Sequence, residues 1–166
     1  MNLWLRLFWV YCSSLFRPRL KIMGTSNIKL CVFPNDLDVY GHMNNGRYLT
    51  LMDLGRIDLI WRTPMGRISK KHHWNPLVAG ISVRYKKSLT VFKVFELHTK
   101  VLSWDEKWFY IEQKFMRKGR VYAHAYVKGL FRGAEGNISP IRVWNESGDR
   151  EGIISSPAPF EKDIFV

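Results

Sequence analysis

Cysteine is scarce in this 166-residue chain: Cys12 and Cys31 stand alone, with no C-x-x-C pair and no histidine cluster beside either. That pattern argues against a disulfide framework or a zinc site and suits reduced thiols in a cytoplasmic setting. Acid is also short, 14 Asp and Glu against 26 Lys and Arg, for a formal charge of +12. Residues 1–30 hold no acid, Arg117, Lys118, Arg120, Lys128 and Arg132 gather later, and residues 145–166 turn acidic. A basic balance fits a nucleic acid, an anionic membrane surface or a polyanionic small ligand. No Lys/Arg run exceeds three residues and no nucleic-acid motif is legible, so nucleic acid is set aside as a partner. Long apolar runs are missing too. The longest, Leu7–Cys12, has six residues, where a spanning helix needs ~20. What the chain does have is a 46% hydrophobic composition and the length of one domain with extra at its ends.

Residues 1–17 are very apolar without being a span. Read as a helix, they put Asn2, Arg6, Ser13 and Arg17 on one narrow stripe and Trp4, Phe8, Tyr11 and Leu15 on the opposite face. Pro18 stops the helix. Two roles fit: docking on its own domain or a sister subunit, or peripheral membrane contact through residues 1–17, helped by Arg17, Arg19 and Lys21. Arg6 inside the apolar region and the lack of an A-x-A-like site argue against a signal peptide.

Asn27–Phe33 alternates like a strand and ends at Pro34. From Tyr48 to Trp61 only Thr50, Asp53, Arg56 and Asp58 are strongly polar, so a helix here is buried nearly all round. Thr63–Pro76 reads as a basic loop. After it the hydrophobic period changes to 2: Ile81–Lys86, Phe95–Val101, Phe109–Phe115 and Val121–Phe131 alternate, with turns at Trp104–Lys107 and Arg117–Arg120, where Gly119 supplies positive φ. Long strands on short hairpins make an antiparallel sheet. A sheet covered by one central helix is an α+β layer architecture. The expected division is an amphipathic helix and linker over 1–26, a core domain over 27–133 and an irregular acidic tail over 134–166.

The stretch NDLDVYGHMNNGRYL, residues 35–49, sets two carboxylates, a histidine and three asparagines at the mouth of the apolar helix. A structural reading serves part of it: Asn35, Asp36 and Asp38 suit Asx-turns, and Asn44 suits an N-cap. A chemical reading uses the same backbone. The first N–H groups of a helix lack partners and carry the positive end of its dipole, a geometry that can hold an oxyanion. A carboxylate a few residues upstream could activate water or attack directly. That set is enough to hydrolyse an activated acyl group with no serine or cysteine nucleophile and no metal or organic cofactor.

Asp36–Leu49 resembles the D-x-D-x-x-G-H-x-N-N-x-x-Y signature of hotdog-fold acyl-CoA thioesterases, the relatives of 4-hydroxybenzoyl-CoA thioesterase, and the likeness covers about residues 27–133. It implies a hotdog fold and hydrolysis of acyl-CoA to a free acid and CoA. Asp38 would be general base or nucleophile. The backbone N–H of Asn45 would polarise the thioester carbonyl, with His42 and Asn44 shaping the site or placing water. Tyr48 would line the site or pack the first helical turn. Arg84 and Lys86, with Lys87 and the Arg117–Arg120 turn, would meet the CoA phosphates. The resemblance also implies a homodimer, or a homotetramer, with the site between subunits. The alternative is a non-catalytic acyl-CoA or lipid binder on the same fold. A dehydratase needs histidine paired with acid on the buried helix, and residues 48–61 contain neither histidine nor glutamate.

Overall fold

The computed structural model describes residues 3–148. Helix α1, Leu3–Phe16, leads to strand β1, Ser26–Cys31, and a short 3-10 turn at Pro34–Asp36. Helix α2, Asn45–Arg62, is followed by α3, Pro64–His72. Four long strands come next: β2 (Asn75–Tyr85), β3 (Val94–Trp104), β4 (Phe109–Arg117) and β5 (Arg120–Gly133). A short β6, Gly136–Ile138, and helix α4, Pro140–Ser147, close the described chain. The strands form one antiparallel sheet in the order β1-β3-β4-β5-β2, with β6 paired to β5.

Helix α2 lies against one face of this sheet. Its Leu51, Met52 and Leu54 pack on Ile28, Phe95, Leu97 and Phe115, all buried. Helix and sheet approach closely at Gly55, where an added Cβ would stand 2.5 Å from Thr99 Oγ1 and 2.9 Å from Leu97 Cδ2. A second cluster at the far end joins Leu59 and α3 to Trp74, Trp104 and Trp144. The β4–β5 hairpin turns on two residues, Lys118 at φ 48° and Gly119 at φ 70°, the positive-φ pair that a tight hairpin requires.

Two segments differ from the sequence reading. The expected basic loop at 63–76 is largely helical: Pro64 suits the first turn, Lys70, Lys71 and His72 complement the negative end of the helix dipole, and Met65 and Ile68 bury one face. Gly66 and the lysines masked this short period. The expected irregular tail holds β6 and α4, while Asp149, Glu151, Glu161 and Asp163 lie outside the described residues.

Helix α1 packs on α2 with the polarity of its faces reversed. Arg6, Val10 and Ser14 are buried, while Trp4, Leu5, Phe8, Trp9, Tyr11, Leu15 and Phe16 are exposed, Trp4 at 73% and Phe16 at 88%. The polar stripe docks because buried carboxylates await it: Arg6 meets Asp36 and Arg17 meets Asp58. No helix among the described residues is long and apolar enough to cross a membrane.

Candidate active site

Residues 36–44 form a narrow closed loop in front of α2. At its base the Asn44 N–H donates to the Asp36 carbonyl at 2.9 Å. Leu37 bridges Met43, the Asp38 N–H donates to the His42 carbonyl at 2.8 Å, and the Met43 N–H reaches across to the Leu89 carbonyl at 2.7 Å. Gly41, at φ 76°, turns the tip. The loop is therefore a fixed hairpin rather than a loose connector.

Asp38 is half-buried in this hairpin. Its Oδ1 accepts the N–H groups of Tyr40 at 2.9 Å and His42 at 3.1 Å. Among the described residues Oδ2 has no partner. One oxygen thus orients the carboxylate and the other is left for water or substrate. Asn44 caps α2: its Oδ1 accepts the Gly46 N–H at 2.8 Å and its carbonyl accepts the Arg47 N–H at 2.9 Å. Between these, the Asn45 N–H is left without a partner among the described residues, at the positive end of an 18-residue helix. The His42, Asn44 and Asn45 side chains are exposed beside it.

Tyr48 sits elsewhere. Its ring is 2% exposed and meets Tyr85 and Phe115 edge-on at 5.1 and 4.9 Å. Burial pushes its hydroxyl pKa up to about 12. It packs the first helical turns and does not line an open site. Arg84 lies on the face of the sheet away from α2, and the Lys86 N–H is bound to the Tyr122 carbonyl just past the strand end. Ile81, Val83 and Tyr85 face α2, so Arg84 points to the opposite side of the sheet, in register with His124. There Glu112 binds His124 at 2.9 Å and Lys114 at 2.8 Å. Lys87 lies just past the same strand end, its N–H bound to the Tyr122 carbonyl.

Sequence reasoning missed three supports. Asp36, read as a turn residue, is fully buried and bound by Arg6 and Arg47. Burial alone would raise its pKa, but the Arg6 bonds, the Phe33 N–H and Arg47 outweigh that and hold the carboxylate below its ordinary range. The first aspartate of D-x-D was the visible signal; its partner Arg6 is thirty residues away and could not be assigned from spacing. The Tyr85 hydroxyl donates to the Asn45 carbonyl at 3.2 Å, bracing the helix start. Arg56, buried on α2, binds Gln113 Oε1 at 2.7 Å, and Gln113 in turn donates to the Met52 carbonyl and Thr99 Oγ1.

An apolar cavity of about 390 Å³ opens between α2 and the β2 edge, lined by Arg56, Ile57, Ile60, Leu77, Val78 and Phe131 among others. No residue of the Asp38 loop lines it within one chain. No cluster of three or more potential metal ligands occurs among the described residues.

The profile of the thioesterase-like superfamily matches residues 32–164. The chain belongs to the thioesterase-like superfamily. Among curated relatives, Protein THEM6 of Danio rerio is 31% identical over 138 residues, covering 81% of this chain and 68% of that protein. The chain spans 41% to 68% of the length of the THEM6 proteins it matches in Xenopus laevis, Danio rerio and Drosophila melanogaster. Among solved structures, the YbaW probable thioesterase of Escherichia coli superposes with a TM-score of 0.68 at 19% identity, over 73% of this chain and 94% of that one. The DHNA-CoA thioesterase of Staphylococcus aureus superposes with a TM-score of 0.63 at 18% identity, over 77% of this chain and 89% of that one. These likenesses establish the hotdog fold for this superfamily member, a curled antiparallel sheet about one helix, with α1 as an addition at its N-terminus.

Proposed function

We propose that this protein is an acyl-CoA thioesterase, with Asp38 as general base or nucleophile. The observation that carries the reading is a carboxylate on the hairpin just before α2 whose Oδ2 has no partner among the described residues, followed by an Asn45 N–H at the start of that helix that likewise has none. As general base, Asp38 takes a proton from water while the water oxygen attacks the thioester carbonyl. The Asn45 N–H stabilises the negative charge that develops on the carbonyl oxygen. The C–S bond then breaks, and the CoA thiolate leaves and takes up the proton. As nucleophile, the Asp38 carboxylate would attack the thioester carbonyl and expel the CoA thiolate, and water would open the resulting anhydride to the free acid and the regenerated carboxylate, the released proton passing to the thiolate. His42 contributes chiefly through its backbone.

A homodimer completes this site. Among the described residues the eleven-residue β2 pairs with β5 alone and is an edge strand, its Leu77 and Val78 are exposed, and the cavity reaches that edge while residues 39–42 of the Asp38 loop are exposed. A second copy paired along β2 would roof both, and a tetramer would add a further layer. The S. aureus neighbour is named for a CoA thioester, which favours acyl-CoA over other thioesters. The protein works in the cytoplasm with peripheral membrane contact: the exposed apolar face of α1, followed by exposed Arg19 and Lys21, suits an anionic bilayer surface.

A thiol-release screen over short, long and aromatic acyl-CoAs tests the activity, with CoA released from at least one class as the expected result. The separation of the cavity from Asp38 within one chain favours a second reading, a non-catalytic acyl-CoA or lipid binder. Tight binding across that panel with no thiol release would select it.

A further inference from the structure

We infer that Arg6, on the added helix α1, is a positioning residue for the Asp38 loop, an inference that rests on the role proposed for Asp38 above. Arg6 is 1% exposed on a helix whose other long side chains mostly point outward. Its NH1 donates to Asp36 Oδ1 at 3.1 Å and its NH2 to Asp36 Oδ2 at 2.5 Å, the two-pronged geometry that fixes a carboxylate in direction as well as place. NH2 also reaches the Cys31 carbonyl at 3.2 Å, and the guanidinium lies over the Phe33 ring at 5.2 Å.

Asp36 passes this constraint to the loop. Its carboxylate further accepts the Phe33 N–H at 2.9 Å and the Arg47 Nε at 3.0 Å, while its carbonyl accepts the Asn44 N–H at 2.9 Å. One residue therefore joins α1, the exit of β1 and the first turn of α2. It does so at the base of the hairpin whose next rung is Leu37–Met43 and whose following rung is Asp38–His42. Turning Asp36 would tilt the hairpin, and with it the angle between the Asp38 carboxylate and the Asn45 N–H.

Stability alone is a poor reason for Arg6. Buried ion pairs are often no better than apolar packing of the same volume, and Arg6 Nε is buried with no partner among the described residues. What the guanidinium supplies and an apolar residue cannot is direction. A built-in control sits at the other end of the helix. Arg17 pairs with buried Asp58, which also binds Ser26 Oγ and Arg62, and none of these residues belongs to the 36–44 loop.

The test is steady-state thioester hydrolysis by Arg6→Met, Arg6→Lys and Arg17→Met, run well below the lowest melting temperature with the folded fraction measured by circular dichroism. Misplacing a catalytic group by about 1 Å can cost ~100-fold. Arg6→Met is expected to lower kcat about 10- to 100-fold with KM changed less than about threefold. Arg6→Lys, which keeps the charge without the fork, should recover part of that loss. Arg17→Met should lower the melting temperature while keeping wild-type kcat. Equal kcat per folded molecule in Arg6→Met and Arg17→Met overturns the inference. Should Arg6→Met fail to fold, full kcat in Arg6→Lys overturns it instead. Asp38→Asn separates the two levels: full turnover there overturns the reading beneath, whereas lost turnover there with full turnover in Arg6→Met overturns this inference alone.

Discussion

The backbone N–H of His42 donates to Asp38 Oδ1 at 3.1 Å, and the Asp38 N–H returns a bond to the His42 carbonyl at 2.8 Å. His42 takes part in both bonds through its main chain alone, so neither depends on the imidazole. His42→Ala is therefore expected to keep turnover within about tenfold of wild type, below the ~10²–10⁴ that a lost general acid or base costs. Steady-state kinetics checks it; a thousandfold loss would make the ring a proton-transfer group.

Asn44 is a cap first. Its Oδ1 satisfies the Gly46 N–H at 2.8 Å. Asn44→Ala should cost about 1 kcal/mol, a fall of ~2–4 °C in melting temperature for a chain of this size. Asn44→Asp should keep nearly all of that stability. Thermal unfolding of the three proteins tests the assignment.

The buried Asp36 makes acid stability specific to one residue. Its pKa is lowered in the folded state, from an unfolded value of about 3.9. Its contribution is thus fully present above pH ~4 and is lost as pH falls through the folded value. Asp36→Asn should lower stability at neutral pH and flatten the fall below pH ~4. Urea unfolding across pH 2–7 measures both effects, and an unchanged acid slope would contradict the ion-pair account.

At Gly55 there is no room for a methyl group: Thr99 Oγ1, Leu97 Cδ2 and Gln113 Nε2 stand within 3.0 Å of a Cβ there. Gly55→Ala should cost ~1–3 kcal/mol by overpacking, against the ~1 kcal/mol that alanine would gain in an open helix. The sign of the change in a denaturation curve decides between them.

The open β2 edge predicts assembly. Val78→Lys with Leu77→Lys places charge on the exposed edge positions, a known block to strand pairing. Analytical ultracentrifugation should find a dimer for wild type and a monomer for the double variant, with thiol release lost alongside.

Much of this was legible because local physics and tertiary structure agree. The period-2 runs became β2 to β5, and the nearly all-apolar Tyr48–Trp61 became the interior of α2. Asn44 was visible as a cap because its chemistry is local. The failures are non-local. Arg6 read as the polar stripe of an amphipathic helix, yet it is the buried stripe, since its partner Asp36 lies in another element. Arg84 and Lys86 are the expected phosphate ligands by charge and resemblance, and strand alternation turns Arg84 away from α2, a placement that charge alone did not reveal. Tyr85 was read as strand patterning, whereas its hydroxyl braces the Asn45 carbonyl.

The central claim is that one carboxylate, Asp38, carries the chemistry. Its most direct measurement is acyl-CoA hydrolysis by wild type and Asp38→Asn at matched folded fraction. The side-chain oxygen that accepts the Tyr40 and His42 N–H groups survives in asparagine, so the hairpin should hold. The account predicts an unchanged fold with turnover reduced at least ~100-fold. Equal rates in the two proteins would contradict it.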